Sequence, residues 1–358
     1  MSLLHDKYRP TSLAKLDFAL DVSAFLIALA KQDLPHLVIE GCRGSGKSLR
    51  TLLLLQEKFG PFTIKNIALD IDIPGKVEKD INIMISPYHY QINPSTHSFY
   101  DRMLIKSFTA EVLKYKLLTG QSYRILVIED ADLLTREAQE SLRRTLELYI
   151  STCRFIFLVN NESKLIEPLY SRCVKVRVPA PTQSEIITIL QKINTGENAG
   201  IPDGILTDIA EQSQRNINKA IGFLERYILR NAGQSLGSFG RREYDDTYNI
   251  SAKILDAMVK GTEMVATIEE IRRLIYELLT FCMDPKYIIP EILNLALARI
   301  PKRNIQYIYK LCEFASVRDL SIRSSSKQMY HIESFCIFLF DIIKKIMQEN
   351  TKTKGVVN

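Results

Sequence analysis

The chain has 358 residues, of which 46% are hydrophobic and 25% charged, with a formal net charge of +6. These values are ordinary for a soluble globular protein of about two or three domains, and the charge is compatible with nucleic-acid binding without establishing it. No apolar stretch reaches transmembrane length, the polar N-terminus is unlike a secretion signal, and the six scattered cysteines lack the spacing of a zinc site or disulfide framework. We therefore expect no membrane association.

The first chemical signature along the chain is a glycine-rich segment at residues 41–48, with the pattern G-x-x-x-x-G-K-[ST]. An apolar run precedes it and a segment with helical periodicity follows, which is the strand, loop and helix context of a phosphate-binding loop. Lys47 would reach the β and γ phosphates, and the hydroxyl group of Ser48 would bind Mg²⁺. The pattern predicts a site for ATP or ADP, and the alternative is a glycine turn that matches by chance. The residues of the predicted loop are Gly41, Cys42, Arg43, Gly44, Ser45, Gly46, Lys47 and Ser48.

The remaining pattern predicts three folded regions. Short apolar runs alternate with helical periodicity over residues 1–180, which favours an α/β domain with a largely parallel sheet. Residues 181–240 have a helical pattern opened by Thr182 or Ser184 as N-cap, although 231–246 resemble a loop. Residues 250–348 predict a bundle of about five helices, and 349–358 a disordered tail. The predicted strands are residues 37–39, 66–72, 81–85, 125–128, 155–159 and 174–178.

Two acids and an amide lie at the ends of predicted strands. The apolar run 125–128 ends in Glu129 and Asp130, which predicts a metal-binding carboxylate followed by the base that orients the attacking water. The usual order, Asp then Glu, is reversed, so the base is shorter by about 1.5 Å, and a 1 Å displacement can cost about 100-fold in rate. Asn160 ends the next strand and is a candidate sensor of the γ-phosphate, unless it only forms a turn with Asn161. The pattern favours nucleotide binding over turnover.

Several motifs together resemble one family. They are K-Y-R-P at residues 7–10, the acid box at 129–132, the helix pattern at 135–147 and Ser-Arg-Cys at 171–173. The chain resembles the small subunits of eukaryotic replication factor C, the AAA+ pentamer that opens the sliding clamp at primer–template junctions. Residues 86–95 further resemble the insertion of the small subunit that sits last in the arc and has a degenerate ATP site. Ser48 departs from that subtype, which usually carries a lysine there.

The resemblance implies an architecture and a set of partners. The α/β AAA+ P-loop module would be followed by a small helical lid domain and an all-α C-terminal collar domain that holds the oligomer together. The partners would be four other clamp-loader subunits, the sliding clamp and primer–template DNA, in the nucleus. The alternative is a P-loop ATPase or kinase that works alone on a small substrate.

The resemblance also assigns roles to single residues. Arg172 would be an arginine finger that reaches the γ-phosphate of a neighbouring subunit, and the alternative is a surface arginine before a strand. Asn218 stands where the lid of such families carries an arginine, and a neutral amide cannot supply that charge. Arg102 and Lys106, on a predicted helix, would follow the DNA backbone, although a solvated helix face explains them equally well. Tyr8, Arg9 and Pro10 would line the adenine end, unless they form a structural arm.

Overall fold

The computed structural model describes residues 3–71, 79–94, 101–114, 123–231, 246–261, 263–280, 285–301, 304–325 and 327–355. The chain divides into two compact units, residues 1–234 and 235–358. None of the described helices combines the length and the apolar character that a membrane crossing needs. The five described cysteines are free thiols.

A single mixed sheet lies at the centre of the first unit. Its described strands are β1 Leu37–Glu40, β2 Lys65–Ile71, β3 Lys79–Ile85, β4 His89–Ile92, β5 Arg124–Ile128, β6 Cys153–Val159 and β7 Val174–Arg177. They are ordered β2-β3-β4-β5-β6-β1-β7. The five strands from β4 to β7 in this order pair in parallel, whereas β2 and β3 form an antiparallel hairpin that extends the edge at β4. The prediction of a largely parallel sheet is confirmed.

The strand β4 is absent from the sequence prediction. It has only four residues, and two of them, His89 and Gln91, are polar. A short run with this composition has no apolar periodicity, so the pattern did not distinguish it from a loop. The predicted end of β2, Asp72, lies outside the described residues.

The central strands are buried on both faces. In β6, Phe155 and Phe157 pack into one hydrophobic cluster, whereas Ile156 and Leu158 pack into another on the opposite face. This alternation follows from the two-residue period of a strand. A sheet covered on both faces explains why these strands read as continuous apolar runs.

Helices cover both faces of this sheet. The described helices of the first unit are α1 Leu4–Lys7, α2 Leu20–Ala30, α3 Lys47–Phe59, α4 Asp101–Lys114, α5 Arg136–Leu148, α6 Glu167–Tyr170, α7 Gln183–Glu197, α8 Asp203–Gln212 and α9 Ile217–Asn231. The clusters on the two faces take apolar side chains from α4 and α5 and from α2 and α3, respectively. The helix α7 begins with a capping box in which Thr182 and Glu185 each bond the other's backbone N–H. Thr182 is therefore the N-cap, and the alternative, Ser184, lies inside the helix.

The parallel register brings several strand ends to one edge of the sheet. Glu40 at the end of β1 pairs with Val159 at the end of β6, and Ile92 of β4 pairs with Ile128 of β5. The residues that follow these strands therefore emerge side by side, where open α/β sheets bind their ligands.

The second unit is helical in its described part. Five α-helices are described there: α10 Asp246–Lys260, α11 Met264–Thr280, α12 Ile288–Arg299, α13 Ile305–Ser324 and α14 Gln328–Gly355. Their buried side chains form one apolar cluster, which confirms the expected bundle. The helix α14 continues past 348, so residues 349–355 are helical instead of forming the predicted tail; no Pro or Gly interrupts the segment before Gly355. The predicted loop at 231–246 falls mostly on residues 232–245, which lie outside the described part.

Candidate nucleotide-binding site

A cleft of about 440 Å³ in the first unit gathers most of the predicted site residues. Its walls come from the N-terminal segment, the loop before α3, the ends of β5 and β6, and the helices α7 and α9. The predicted residues that line it are Tyr8, Arg9, Pro10, Arg43, Gly44, Gly46, Lys47, Ser48, Glu129, Asp130, Asn160 and Asn218. The other three loop residues, Gly41, Cys42 and Ser45, are not among the lining residues.

Two glycines give the phosphate-binding loop its shape. Gly44 and Gly46 have φ angles of +78° and +79°, in the left-handed region that favours glycine. A Cβ atom on Gly44 would lie 2.0 Å from Oδ1 of Asn216, just before α9, so no side chain fits there. The loop therefore packs closely against the start of a lid helix.

Lys47 is held at the mouth of the loop by oxygen atoms. Its Nζ donates to the carbonyl oxygens of Gly41 at 2.6 Å and Cys42 at 3.0 Å, and to Oδ1 of Asn160 at 3.0 Å. Burial lowers the pKa of Lys47, and the nearby Asp130 and Asp132 oppose this effect. The structure thus brings Lys47 and the candidate sensor Asn160 together, and a bound phosphate would be a further anionic partner for this ammonium group.

Glu129 and Ser48 offer oxygen ligands suited to magnesium. The Oγ of Ser48 lies 3.4 Å from Oε1 of Glu129, which also accepts a hydrogen bond of 2.7 Å from Nε2 of Gln91. Burial raises the pKa of Glu129, whereas the bond from Gln91 lowers it. Mg²⁺ prefers such hard oxygen ligands and binds through few protein groups together with water and phosphate oxygens. The pair therefore fits Mg²⁺ held jointly with a nucleotide, and a bound cation would stabilise the half-buried carboxylate.

Asp130, the candidate base, is constrained on several sides. Its backbone has a φ of +46°, and its carboxylate accepts hydrogen bonds from Nδ2 of Asn93 at 3.2 Å and Nδ2 of Asn160 at 3.0 Å. A guanidinium nitrogen of Arg43 lies 4.0 Å away. Asp132 accepts a hydrogen bond of 3.1 Å from the backbone N–H of Asn160 and so fixes the start of that turn. The short base is thus engaged by neighbouring donors.

Three polar residues of this network were not predicted as site residues: Gln91, Asn93 and Asp132. Gln91 lies in β4 and Asn93 directly follows it, so recognition of that strand would have placed both at the same edge as the acids. Asp132 stands in the acid box and had no assigned role.

A buried pair at the floor of the cleft, Phe18 and Arg50, was also not predicted from the sequence. The guanidinium of Arg50 is fully buried, lies 4.7 Å from the centre of the Phe18 ring, and donates to the Phe18 carbonyl at 2.8 Å and to Ser23 Oγ at 2.7 Å. Burial lowers the pKa of Arg50 to about 10. Nothing in the local pattern marks these contacts, because they join α3 to a segment about thirty residues earlier.

The N-terminal segment is tied to the lid helices. Lys7 Nζ donates to Glu197 of α7 at 2.6 Å, and a Cβ atom on Gly196 would lie 2.3 Å from the Tyr8 hydroxyl oxygen. On α9, Asn218 is exposed, and its Oδ1 lies 3.3 Å from Nε2 of His5. One wall of the cleft is therefore made jointly by the two ends of the first unit.

Arg172 lies elsewhere in the first unit. It follows α6, and its guanidinium donates to the carbonyl oxygen of Pro168 at 2.7 Å and pairs with Glu147 of α5 at 2.9 Å. It is exposed and is not among the residues that line the cleft. In the observed side-chain conformation, this position is incompatible with a direct role of Arg172 at the phosphates of a nucleotide bound in the cleft of the same chain.

The two candidate DNA-binding residues lie on the exposed face of α4. Arg102 pairs with Glu137 at the start of α5 at 2.9 Å, and Lys106 is exposed. The start of α4 is fixed by Asp101, whose carboxylate accepts hydrogen bonds from the N–H and Oγ1 of Thr135. The helix is thus anchored to α5 at its first residue.

A phosphate-binding loop, acids at neighbouring strand ends and a helical lid define a nucleotide-binding protein of the AAA+ class. The sequence is 33% identical over 348 residues to replication factor C subunit 5 of Schizosaccharomyces pombe, covering 94% of this chain and 95% of that one. It is 31% identical to replication factor C subunit 3 of Mus musculus, covering 98% of both chains. The chain belongs to the replication factor C small-subunit family.

Two family models and one solved structure complete the comparison. Residues 249–347 match the family described as replication factor C subunit 3, C-terminal domain, and residues 79–182 match DNA polymerase III, delta subunit. Among solved structures, the RuvB Holliday junction branch migration motor of Thermotoga maritima is similar, with a TM-score of 0.47 and 16% identity. It covers 74% of this chain and 85% of the RuvB chain.

Proposed function

We propose that this small subunit of the clamp loader binds ATP or ADP with Mg²⁺ and donates Arg172 to the active site of a neighbouring subunit. Four other subunits would complete the assembly, which opens the sliding clamp and loads it on primer–template DNA in the nucleus. The observation that carries the proposal is the separation of two sets of candidate residues on one chain. The phosphate-binding residues line one cleft, and the candidate finger lies outside it on an exposed surface.

Weak hydrolysis in the chain's own cleft follows from two residues. Asp130 is short and already accepts hydrogen bonds from Asn93 and Asn160, so it is poorly placed to orient a water molecule. Asn218 is neutral where the family resemblance implies an arginine, so the lid supplies less charge to a γ-phosphate. Neither feature alters the phosphate-binding loop itself, so the chain would still bind nucleotide.

Contact with DNA is proposed for Arg102 and Lys106. Both cations are exposed on α4, and phosphate contacts of this kind give binding that depends on salt and not on sequence. To bind DNA, Arg102 would have to break its ion pair with Glu137. This pair is exposed, and such pairs contribute about 1 kcal/mol or less.

A P-loop ATPase or kinase that acts alone is the less supported alternative. The two relatives described above are subunits of a named multi-subunit factor and match along almost the whole chain. Co-purification tests this directly, since a lone enzyme would not recruit different relatives.

The decisive experiment is Arg172→Ala in a reconstituted complex. The other competent subunits would carry substituted phosphate-loop lysines, so that only the site receiving Arg172 can turn over. Arginine fingers contribute about 10³- to 10⁵-fold, so we expect a loss of at least about 10³-fold in clamp- and DNA-stimulated ATPase.

Arg177→Ala is the matched control, because Arg177 is also an exposed arginine, on the strand β7 that follows. It should keep the activity, and both variants should assemble normally by size-exclusion chromatography. Full turnover of the Arg172→Ala complex would refute the proposed role.

A further inference from the structure

His5 occupies a position in the cleft that the sequence motifs leave without a role. Its ring lines the same cleft as the phosphate-binding loop, and its Nε2 lies 3.3 Å from Oδ1 of Asn218. An amide oxygen only accepts, so Nε2 carries the hydrogen of this bond. The backbone N–H of the preceding residue, Leu4, donates to Oε1 of Glu225 at 3.1 Å, which holds α1 against α9 and keeps the ring at this wall.

We propose that His5 contacts the bound nucleotide and, when protonated, supplies the positive charge that Asn218 lacks. This inference rests on the proposed nucleotide binding. The neutral amide of Asn218 and the imidazole of His5 form one unit, in which the amide orients the ring and the ring carries the charge. A protonated ring would attract the polyphosphate, so nucleotide binding would be coupled to proton uptake.

Charged groups of both signs surround His5, and they bear on this coupling. The Asp6 carboxylate lies 3.7 Å from Nδ1 of His5, and Glu225 faces the same short helix from α9. The cleft that His5 lines also contains the cations Arg9, Arg43, Lys47, Arg50 and Lys192 and the acids Asp17, Glu129 and Asp130, and Lys219 follows Asn218 on α9. The free cleft thus holds charges of both signs, and an incoming polyphosphate adds negative charge that favours an imidazolium beside it.

Other histidines of the first unit do not compete for this role. Burial lowers the pKa of both His36 and His89 to about 4, so these two rings stay neutral near physiological pH. Among the described histidines of this unit, His5 is the one that lines the cleft.

The test is calorimetric titration of the full-length chain with Mg²⁺–ADP and Mg²⁺–ATP between about pH 6 and pH 8, the range in which histidines change charge. Titration in buffers of different ionisation enthalpy counts the protons taken up. The variants are His5→Gln, which stays neutral, and His5→Lys, which stays charged. His331→Gln, in the second unit, is the matched control. Protonation of the nucleotide itself is common to all variants and cancels in their ratios.

We expect the affinity ratio of wild type to His5→Gln to rise about two- to fivefold from pH 8 to pH 6, the size of an exposed charge contact. Proton uptake should fall in His5→Gln, and His5→Lys should bind tightly at both pH values. A His5→Gln variant with the wild-type pH dependence and proton uptake would overturn the inference. Lys47→Ala should bind neither nucleotide. If the wild type also binds neither, the proposed nucleotide binding is wrong, and the failure does not concern His5.

Discussion

The contact between Glu147 and Arg172 allows the role of a supporting residue to be separated from that of the finger. Glu147 pairs with Arg172 at 2.9 Å and also with Arg143 of its own helix at 3.4 Å. The side chains of Arg172 and Glu147 are 39% and 45% exposed, so water and salt screen the pair and its contribution is at most about 1 kcal/mol. A tenfold change corresponds to about 1.4 kcal/mol, so loss of this pair should change the population of the oriented finger by about fivefold or less.

Glu147→Gln should therefore lower kcat of the assembled complex by about two- to fivefold and leave KM for ATP unchanged. Clamp- and DNA-stimulated steady-state ATPase measures both constants. Glu140→Gln is the control, because Glu140 lies on the same helix and pairs with Arg136, at 3.5 Å. A loss near 10³-fold, as expected for removal of the finger, would mean that Glu147 itself touches the reacting nucleotide, and an effect no larger than the control would remove its positioning role.

Three further predictions concern stability, DNA binding and turnover. Acidification from about pH 7.5 to pH 5 should lower the free energy of unfolding by about 2 kcal/mol for each of His36 and His89. In the folded chain both have a pKa of about 4, below the 6.5 of an exposed histidine. The unfolded chain therefore takes up these protons first as the pH falls, which favours unfolding. Urea unfolding of a His36→Gln/His89→Gln variant should show a much weaker pH slope, and equal slopes would contradict the burial argument. Alanine at both Arg102 and Lys106 should reduce the salt slope of DNA binding by about one to two, with unchanged sequence preference; an unchanged slope places the DNA elsewhere. Asp130→Glu lengthens the base but leaves the lid neutral, so hydrolysis by the isolated chain should rise by less than about tenfold, and the rate of a competent loader subunit would refute this.

The parts of the site whose residues lie close together in the sequence were predictable from it. The helix α3 directly follows the glycines of the phosphate-binding loop in the sequence. Lys47 and Ser48, at the start of α3, therefore also lie beside the loop in space. Glu129 and Asp130 directly follow β5, and the parallel register brings Asp130 to Asn160. These relations need only the order of strands and the rule that parallel strands share an edge.

The parts that depend on distant contacts were not predictable. His5 meets Asn218 across 213 residues, and Lys7 meets Glu197 across 190, through packing of α1 on the lid that no local pattern encodes. The helical end of the chain was missed for a different reason, since residues 349–355 are polar and resemble a tail while containing no helix breaker before Gly355.

In the proposed division of roles, this chain completes a reaction centre in its neighbour while its own cleft mainly binds nucleotide. The most direct measurement compares Lys47→Ala with Arg172→Ala in otherwise wild-type complexes by clamp-stimulated ATPase. We expect the assembled Lys47→Ala complex to keep most of its turnover, whereas Arg172→Ala should lose the share of one neighbouring site. Loss of turnover with Lys47→Ala, together with full turnover in Arg172→Ala, would show that the two roles are assigned wrongly.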